Sequence, residues 1–91
     1  MKFEWDEVKA ENNLRKHGVA FDVAIRLFRD PLRIEEPDGG DHGEERWKTI
    51  GFVNAEEIVV IYTERADLVR IISARKAETN ERKEYWKNRH V

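Results

Sequence analysis

Phe21, Ala24, Ile25 and Phe28 stand at i, i+3, i+4 and i+7, the spacing that lines one face of an α-helix, and Asp30-Pro31 ends the pattern. From Arg46 onward the period becomes that of strands. Arg46 to Val53, Ile58 to Thr63 and Leu68 to Arg75 are rich in Ile, Val, Thr and aromatics. Between them lie Asn54 to Glu57 and Glu64 to Asp67, short enough for antiparallel hairpins, so the three runs predict a meander.

Weaker signals flank these elements. Phe3 and Trp5 share one side of an extended segment, Lys2 to Trp5, which reads as an edge strand. Asp6 supplies an N-cap and His17-Gly18 a stop for a helix from Glu7 to Lys16. Its apolar residues, Val8, Ala10 and Leu14, are few, so most of this helix is wet. Leu32 to Glu35 makes a short strand, and Pro37 to Gly43 has the glycines of a flexible loop. Thr79 or Asn80 caps a last helix with Glu81 and Glu84 near its positive end and Arg82, Tyr85, Trp86 and Arg89 along one stripe. The order β-α-α-β-β-β-β-α over residues 1–91 predicts one α+β domain, an antiparallel sheet with helices packed on one face. The other face is then left for chemistry.

Composition narrows the chemistry. A chain of 91 residues hides only about 60–65% of its unfolded surface, which leaves no room for a second core or a large substrate cavity. There are no cysteines, so disulfides, thiolate nucleophiles and Cys-based metal sites are excluded. The longest apolar run, Ile58 to Tyr62, is far short of the roughly twenty residues a membrane helix needs, and the N-terminal residues are acidic. The expected location is the cytoplasm.

Charge changes the picture further. The total is -2, but residues 1–61 hold 9 basic and 14 acidic side chains and residues 62–91 hold 8 and 5. The cationic third contains Arg65, Arg70, Arg75, Lys76, Arg82, Lys83, Lys87 and Arg89. Two readings stand at this point: an anionic partner near the C-terminus, or a surface of salt-bridged charges.

No serine-histidine-acid signature, phosphate-binding glycine loop or His-x-x-x-His pair occurs. Asp38, Asp41, His42, Glu44 and Glu45 fail the calcium-loop spacing and read as a solvated acidic loop, so neither metal nor cofactor is expected. The richer constellation is Glu44, Arg46, Trp47 and Lys48 at the meander's entrance, Thr63 and Arg65 at its second turn, Arg70 and Arg75 on its last strand, and Tyr85 after it. Strict alternation puts Arg46 and Lys48 on one face opposite Trp47, and Arg75 on the side of Val69 and Ile71, away from Arg70. Guanidinium forks bind phosphate and an aromatic beside them stacks a base. RNA cleavage without metal needs a base for the 2′-OH, a cation for the phosphorane and an acid for the leaving 5′-oxygen, and Glu, Arg and Tyr, His or Lys supply these types. The plainer alternative is that Glu44, Arg46 and Arg65 form ordinary salt bridges. His17 closes a helix, where the dipole favours an imidazolium, and this structural role competes with a catalytic one. Trp5 and Trp86 read as core or interface anchors, and Trp86 and the first helix are the candidate partner-docking surfaces.

Several motifs then occur in register: Phe3-Glu4-Trp5-Asp6-Glu7, Lys16-His17-Gly18-Val19 with Phe21-Asp22, Asp30-Pro31, Gly43-Glu44-Glu45-Arg46-Trp47 with Ile50-Gly51, Tyr62-Thr63-Glu64-Arg65, and Arg70 to Ala77 with Glu81-Arg82 and Tyr85. From residue 3 to about residue 86 the chain resembles the BrnT toxin family. The resemblance implies a RelE/ParE-like fold and a type II toxin that cuts RNA and arrests growth, and the residue types above make metal-independent cleavage the expected chemistry. Its partner would be a BrnA-like antitoxin with a ribbon-helix-helix part, forming a heterotetramer that represses its own operon and touches operator DNA only through the antitoxin. The implied catalytic residues are Glu44, Arg46, Arg65, Arg75, Tyr85 and His17, and the implied RNA-binding residues Trp47, Thr63 and Arg70; the nearby cations Lys48, Lys76 and Arg82 are expected to bind RNA with them. A sequence pI near 5.9 departs from the basic ribonucleases of the RelE-like superfamily. Phosphate binding is then confined to the C-terminal surface or catalysis is weak, and a non-catalytic ParE-like inhibitor or a structural repressor subunit are the alternatives.

Overall fold

The computed structural model describes residues 1–40 and 43–87. Its sheet grows from the meander. Asn54 and Ala55 take positive φ values of 51° and 65°, the conformation of a two-residue hairpin turn that matches strand twist. The ladder therefore continues to Val53 and Glu56: β3 (Trp47–Val53) ends at this turn where the sequence predicts, and β4 (Glu56–Arg65) begins two residues earlier than predicted. Ala66 at φ 53° turns β4 into β5 (Leu68–Lys76).

Two short strands close the sheet. β1 (Lys2–Glu4) pairs in parallel with β5, and β2 (Ile34–Pro37) pairs antiparallel with β3, giving the order β1-β5-β4-β3-β2. The sheet is mixed, which corrects the all-antiparallel expectation. The segment after β1 crosses to the opposite edge before it re-enters the sheet, so β1 has no hairpin partner and docks beside β5 in the same direction.

That crossing segment forms the first layer. Asp6 caps α1 (Glu7–His17), its carboxylate accepting from the backbone N–H groups of Val8 and Lys9, and Gly18 at φ 71° ends it. The predicted second helix is α2 (Phe21–Ala24) followed by a 3₁₀ helix, Ile25–Arg29. Tightening to three residues per turn rotates the pattern, so Phe21, Ala24 and Leu27 are buried while Ile25 and Phe28 are half-buried. Gly51 makes the seat for Leu27: a Cβ there would lie 2.9 Å from the Leu27 Cβ. The core on this side combines Val19, Phe21, Ala24 and Leu27 with Val53, Ile58, Val60, Tyr62, Val69, Ile71 and Ala74.

The second face is partly covered, a further correction. α3 (Thr79–Trp86) packs Tyr85 and Ala77 on Ile50 and Val59, with Ile34 and Ile61 alongside. Burial of this aromatic residue pulls the helix over one end of the sheet, and the Tyr85 hydroxyl donates to Asp30 while the Trp86 indole N–H donates to Glu57 at 2.8 Å. The cap of α3 is Glu78, not Thr79 or Asn80, because Glu81 reaches back to the Glu78 N–H in a capping box. Arg89 lies outside the described residues.

A buried amide completes the sheet edge. Beyond Arg70, β5 has no ladder partner on its β1 side, and the Asn13 side chain occupies that place. Its Nδ2 donates to the Ala74 and Val19 carbonyls at 2.8 and 3.0 Å, and its Oδ1 accepts from the Ala74 N–H at 3.2 Å. Asn13 is the buried residue of an otherwise wet α1. Removing the amide strands the buried Ala74 groups, so Asn13→Ala is expected to cost about 3 kcal/mol in urea unfolding. A loss below about 1 kcal/mol would show that water replaces the amide.

Candidate functional site

A β-bulge decides which charges meet. Ile61 pairs with Ser73 and Tyr62 with Ile71, so Ile72 is an extra residue on β5 and the alternation flips across it. Arg75 therefore stands on the same face as Arg70, not on the side of Val69 and Ile71 as strict alternation predicts. Lys48 on β3 stands on this face as well, and both reach one carboxylate of α3. Arg75 binds Glu81 through two parallel hydrogen bonds of 2.7 and 2.8 Å, and the Lys48 ammonium lies 2.6 Å from the same carboxylate. The Glu78 N–H donates to it at 2.8 Å.

This carboxylate is 12% exposed, and the Arg75 hydrogen bonds hold its pKa down at about 2 against a usual 4.5. Burial opposes the shift, while the Glu78 N–H and Lys48 assist it. Arg75 is in turn held more firmly protonated by Glu81, with smaller contributions from Glu78 and Asp38. Asp38 belongs to the neighbouring loop, whose N–H donates to the Arg46 carbonyl at 2.9 Å. The loop and the start of β3 line a cleft of about 400 Å³ that includes Glu44, Arg46 and one side of Trp47. Thr63 fastens the loop to β4, its buried hydroxyl donating to the Glu45 carbonyl at 2.6 Å, and Arg65 pairs with Glu44 at 3.4 Å on the surface.

The other candidates are more dispersed. Arg70 shares the open face and pairs with Glu4 of β1 at 2.7 Å. Lys76 pairs with Glu56 on the opposite side of the bulge's alternation, against α1 and Val19. Arg82 donates to the Ala77 carbonyl and the Thr79 hydroxyl, closing the first turn of α3. Tyr85 is buried beneath α3 and bonded to Asp30, and His17 ends α1 on the far side of the sheet, so neither joins the Lys48–Arg75 group. Asp41 and His42 lie outside the described residues. Among the described residues no group of three or more His, Asp or Glu is arranged to hold a metal ion, and no helix is long and apolar enough to cross a membrane.

Glu81 stands in the sequence as a helix-start carboxylate and in the Glu81-Arg82 motif, without a site role. The spacing Glu78-x-x-Glu81 marks a capping box but gives no hint of the two cations.

Residues 5–81 match the family described as "Ribonuclease toxin, BrnT, of type II toxin-antitoxin system". The match covers well over half of the chain, and the protein belongs to this family of ribonuclease toxins. Membership in a type II system implies an antitoxin partner. No curated protein matches the chain.

The depressed Glu81 pKa has a pH consequence. A carboxyl held below its unfolded value stabilises the fold above that value and loses the contribution as pH falls toward the folded one. Stability is expected to fall by about 3 kcal/mol between pH 5 and pH 2 on account of this group. Urea unfolding of wild type and Glu81→Gln across that window checks it: the variant should be weaker at pH 6 and nearly level with wild type at pH 2. A constant gap between the two curves would remove Glu81 from the account.

Proposed function

We propose that this chain, as a single toxin domain, is a metal-independent endoribonuclease whose open sheet face seats an RNA phosphate on Arg75 and Lys48. The observation that carries the reading is the convergence of these two cations, from strands separated by β4, on one carboxylate. Two forked donors and an ammonium aimed at one oxygen pair are the arrangement a phosphate takes, and RNA competes with Glu81 for it. Arg70, Arg65 and Arg46 extend the cationic track along the face and its loop, with Arg82 at its margin and Lys76 left to contact RNA only around the sheet's other side, and Trp47 offers a ring at the cleft for an unstacked base.

In this reading the 2′-oxygen attacks phosphorus as Glu44 takes its proton. Arg75 stabilises the phosphorane, and Lys48 delivers a proton to the 5′-oxygen as the P–O5′ bond breaks. Thr63 holds the loop in register, Tyr85 seats α3, and His17 closes α1. No cofactor takes part. The order of elements supports a RelE/ParE-like fold. Its partner in the cytoplasm is a BrnA-like ribbon-helix-helix antitoxin, two copies of each forming a complex that represses the operon and meets DNA through the antitoxin.

One observation favours a non-catalytic inhibitor or a repressor subunit instead: Lys48, Arg65, Arg70 and Arg75 each already have a carboxylate partner. A cleavage assay on purified toxin in EDTA separates the readings. The wild type is expected to cut RNA, and Arg75→Ala to lose about 100-fold or more in rate while still melting cooperatively and binding its antitoxin. Growth arrest with intact RNA would support inhibition by binding, and cleavage abolished by EDTA would sink the metal-independent mechanism.

A further inference from the structure

The 3₁₀ helix sorts its side chains into columns. At three residues per turn, positions i and i+3 eclipse, so Ile25 stands over Phe28 and Arg26 over Arg29. Asp22 and Arg26 are four residues apart, yet no ion pair joins them among the described residues. Both arginines are exposed, without a carboxylate partner in the described residues, in contrast to Arg33, Arg65, Arg70 and Arg75 on the sheet side.

Beside these columns runs the free edge of β1. Its outer N–H and C=O groups face no strand among the described residues. Phe3 packs on Phe28 with ring centroids 5.1 Å apart, and Arg33 covers the Phe28 ring at 4.9 Å, so the apolar floor is held from two sides. Phe3 and Phe28 line a cleft of about 660 Å³ together with Met1, Ile25, the two arginines and, as its one acidic residue, Asp22. An unpaired strand edge, an apolar floor and two unpartnered guanidiniums together define one kind of occupant.

We infer that this cleft docks the antitoxin through an extended segment that pairs along β1, inserts an apolar side chain over Phe3 and Phe28, and sets carboxylates against Arg26 and Arg29. The inference rests on the antitoxin partner implied by family membership. Charge complementarity selects an acidic protein segment over RNA, because each of the two arginines stands beside apolar floor and a strand edge. The site lies on the face of the sheet that carries α1 and the 3₁₀ helix, opposite α3, so it leaves the Lys48–Arg75 group uncovered by direct contact.

Hydrogen exchange on the full-length toxin, alone and bound to the protein encoded by the adjacent reading frame, tests this. The amides of residues 2–4 and 25–29 are expected to slow by about tenfold or more in the complex. The double variant Arg26→Glu/Arg29→Glu is expected to bind about 100-fold more weakly, while Arg26→Lys/Arg29→Lys stays within a few-fold. The free charge-reversed toxin should keep its melting midpoint and its RNA cleavage. Protection on Val8 and Leu14 of α1 or on Phe52 and Trp86 instead, or reversal without effect, would overturn the docking site alone. A toxin homodimer dissolved by the reversal would assign the cleft to a second copy and overturn it too. If the wild-type toxin forms no complex at all, the antitoxin reading fails together with the docking site. Should the reversed variant not fold, the exchange pattern of the wild type decides by itself.

Discussion

The Glu81 carboxylate ties three elements that the chain folds separately: Lys48 from β3, Arg75 from β5 and its own helix start through the Glu78 N–H. Each of these ligands is needed because the others are present. Two cations set across β4 from each other would repel without the carboxylate, and burial works against the charge on a carboxylate that is 12% exposed while the cations favour it. Their mutual neutralisation sets the position of α3, which in turn covers Ile50 and Val59 and leaves Ile61, Ser73 and Arg70 half-buried on the open part of the face. The same contact that closes the small apolar cluster beneath α3 therefore presents the cations from which the RNA reading is built.

Polar groups do similar positional work on the opposite side. Asn13 supplies what an absent strand would supply to Ala74 and so fastens a wet α1 to the sheet. The absence of a side chain at Gly51 lets Leu27 sit against β3 and holds the 3₁₀ helix where it is. That geometry pairs Ile25 with Phe28 and Arg26 with Arg29, separating a buried column from an apolar and a cationic one. A net charge of -2 consequently describes neither surface. On the sheet face the cations are matched by carboxylates, and on the 3₁₀ helix they stand unmatched.

The meander and the capped first helix were legible because strand period, turn length and an Asp-to-Gly bracket each act over a few residues. The parallel docking of β1 was not, since it depends on where a long crossing returns to the sheet. Neither was the bulge at Ile72: period-2 counting moves Arg75 to the wrong face because one extra residue inverts every position after it. The 3₁₀ helix escaped for a related reason, as Phe21 to Phe28 satisfies the α-helical spacing whether or not packing tightens the second half. Of the site, the residue types and the loop from Glu44 to Lys48 could be read directly. Their partners could not, because Glu81, Glu4 and Glu56 become neighbours of the cations only through tertiary contact. Tyr85, singled out by its stripe on α3, is consumed by the core that the stripe helps to form.

In the proposed function RNA phosphate takes the seat now held by the Glu81 carboxylate. Titration of the toxin with an uncleavable all-deoxy oligonucleotide, followed by NMR of the arginine Nε–H and lysine ammonium signals, tests this exchange. Saturable shifts are expected at Arg75 and Lys48, with Arg26 and Arg29 unmoved. Shifts confined to Arg26 and Arg29, or an Arg75 signal that stays in place at saturation, would contradict it.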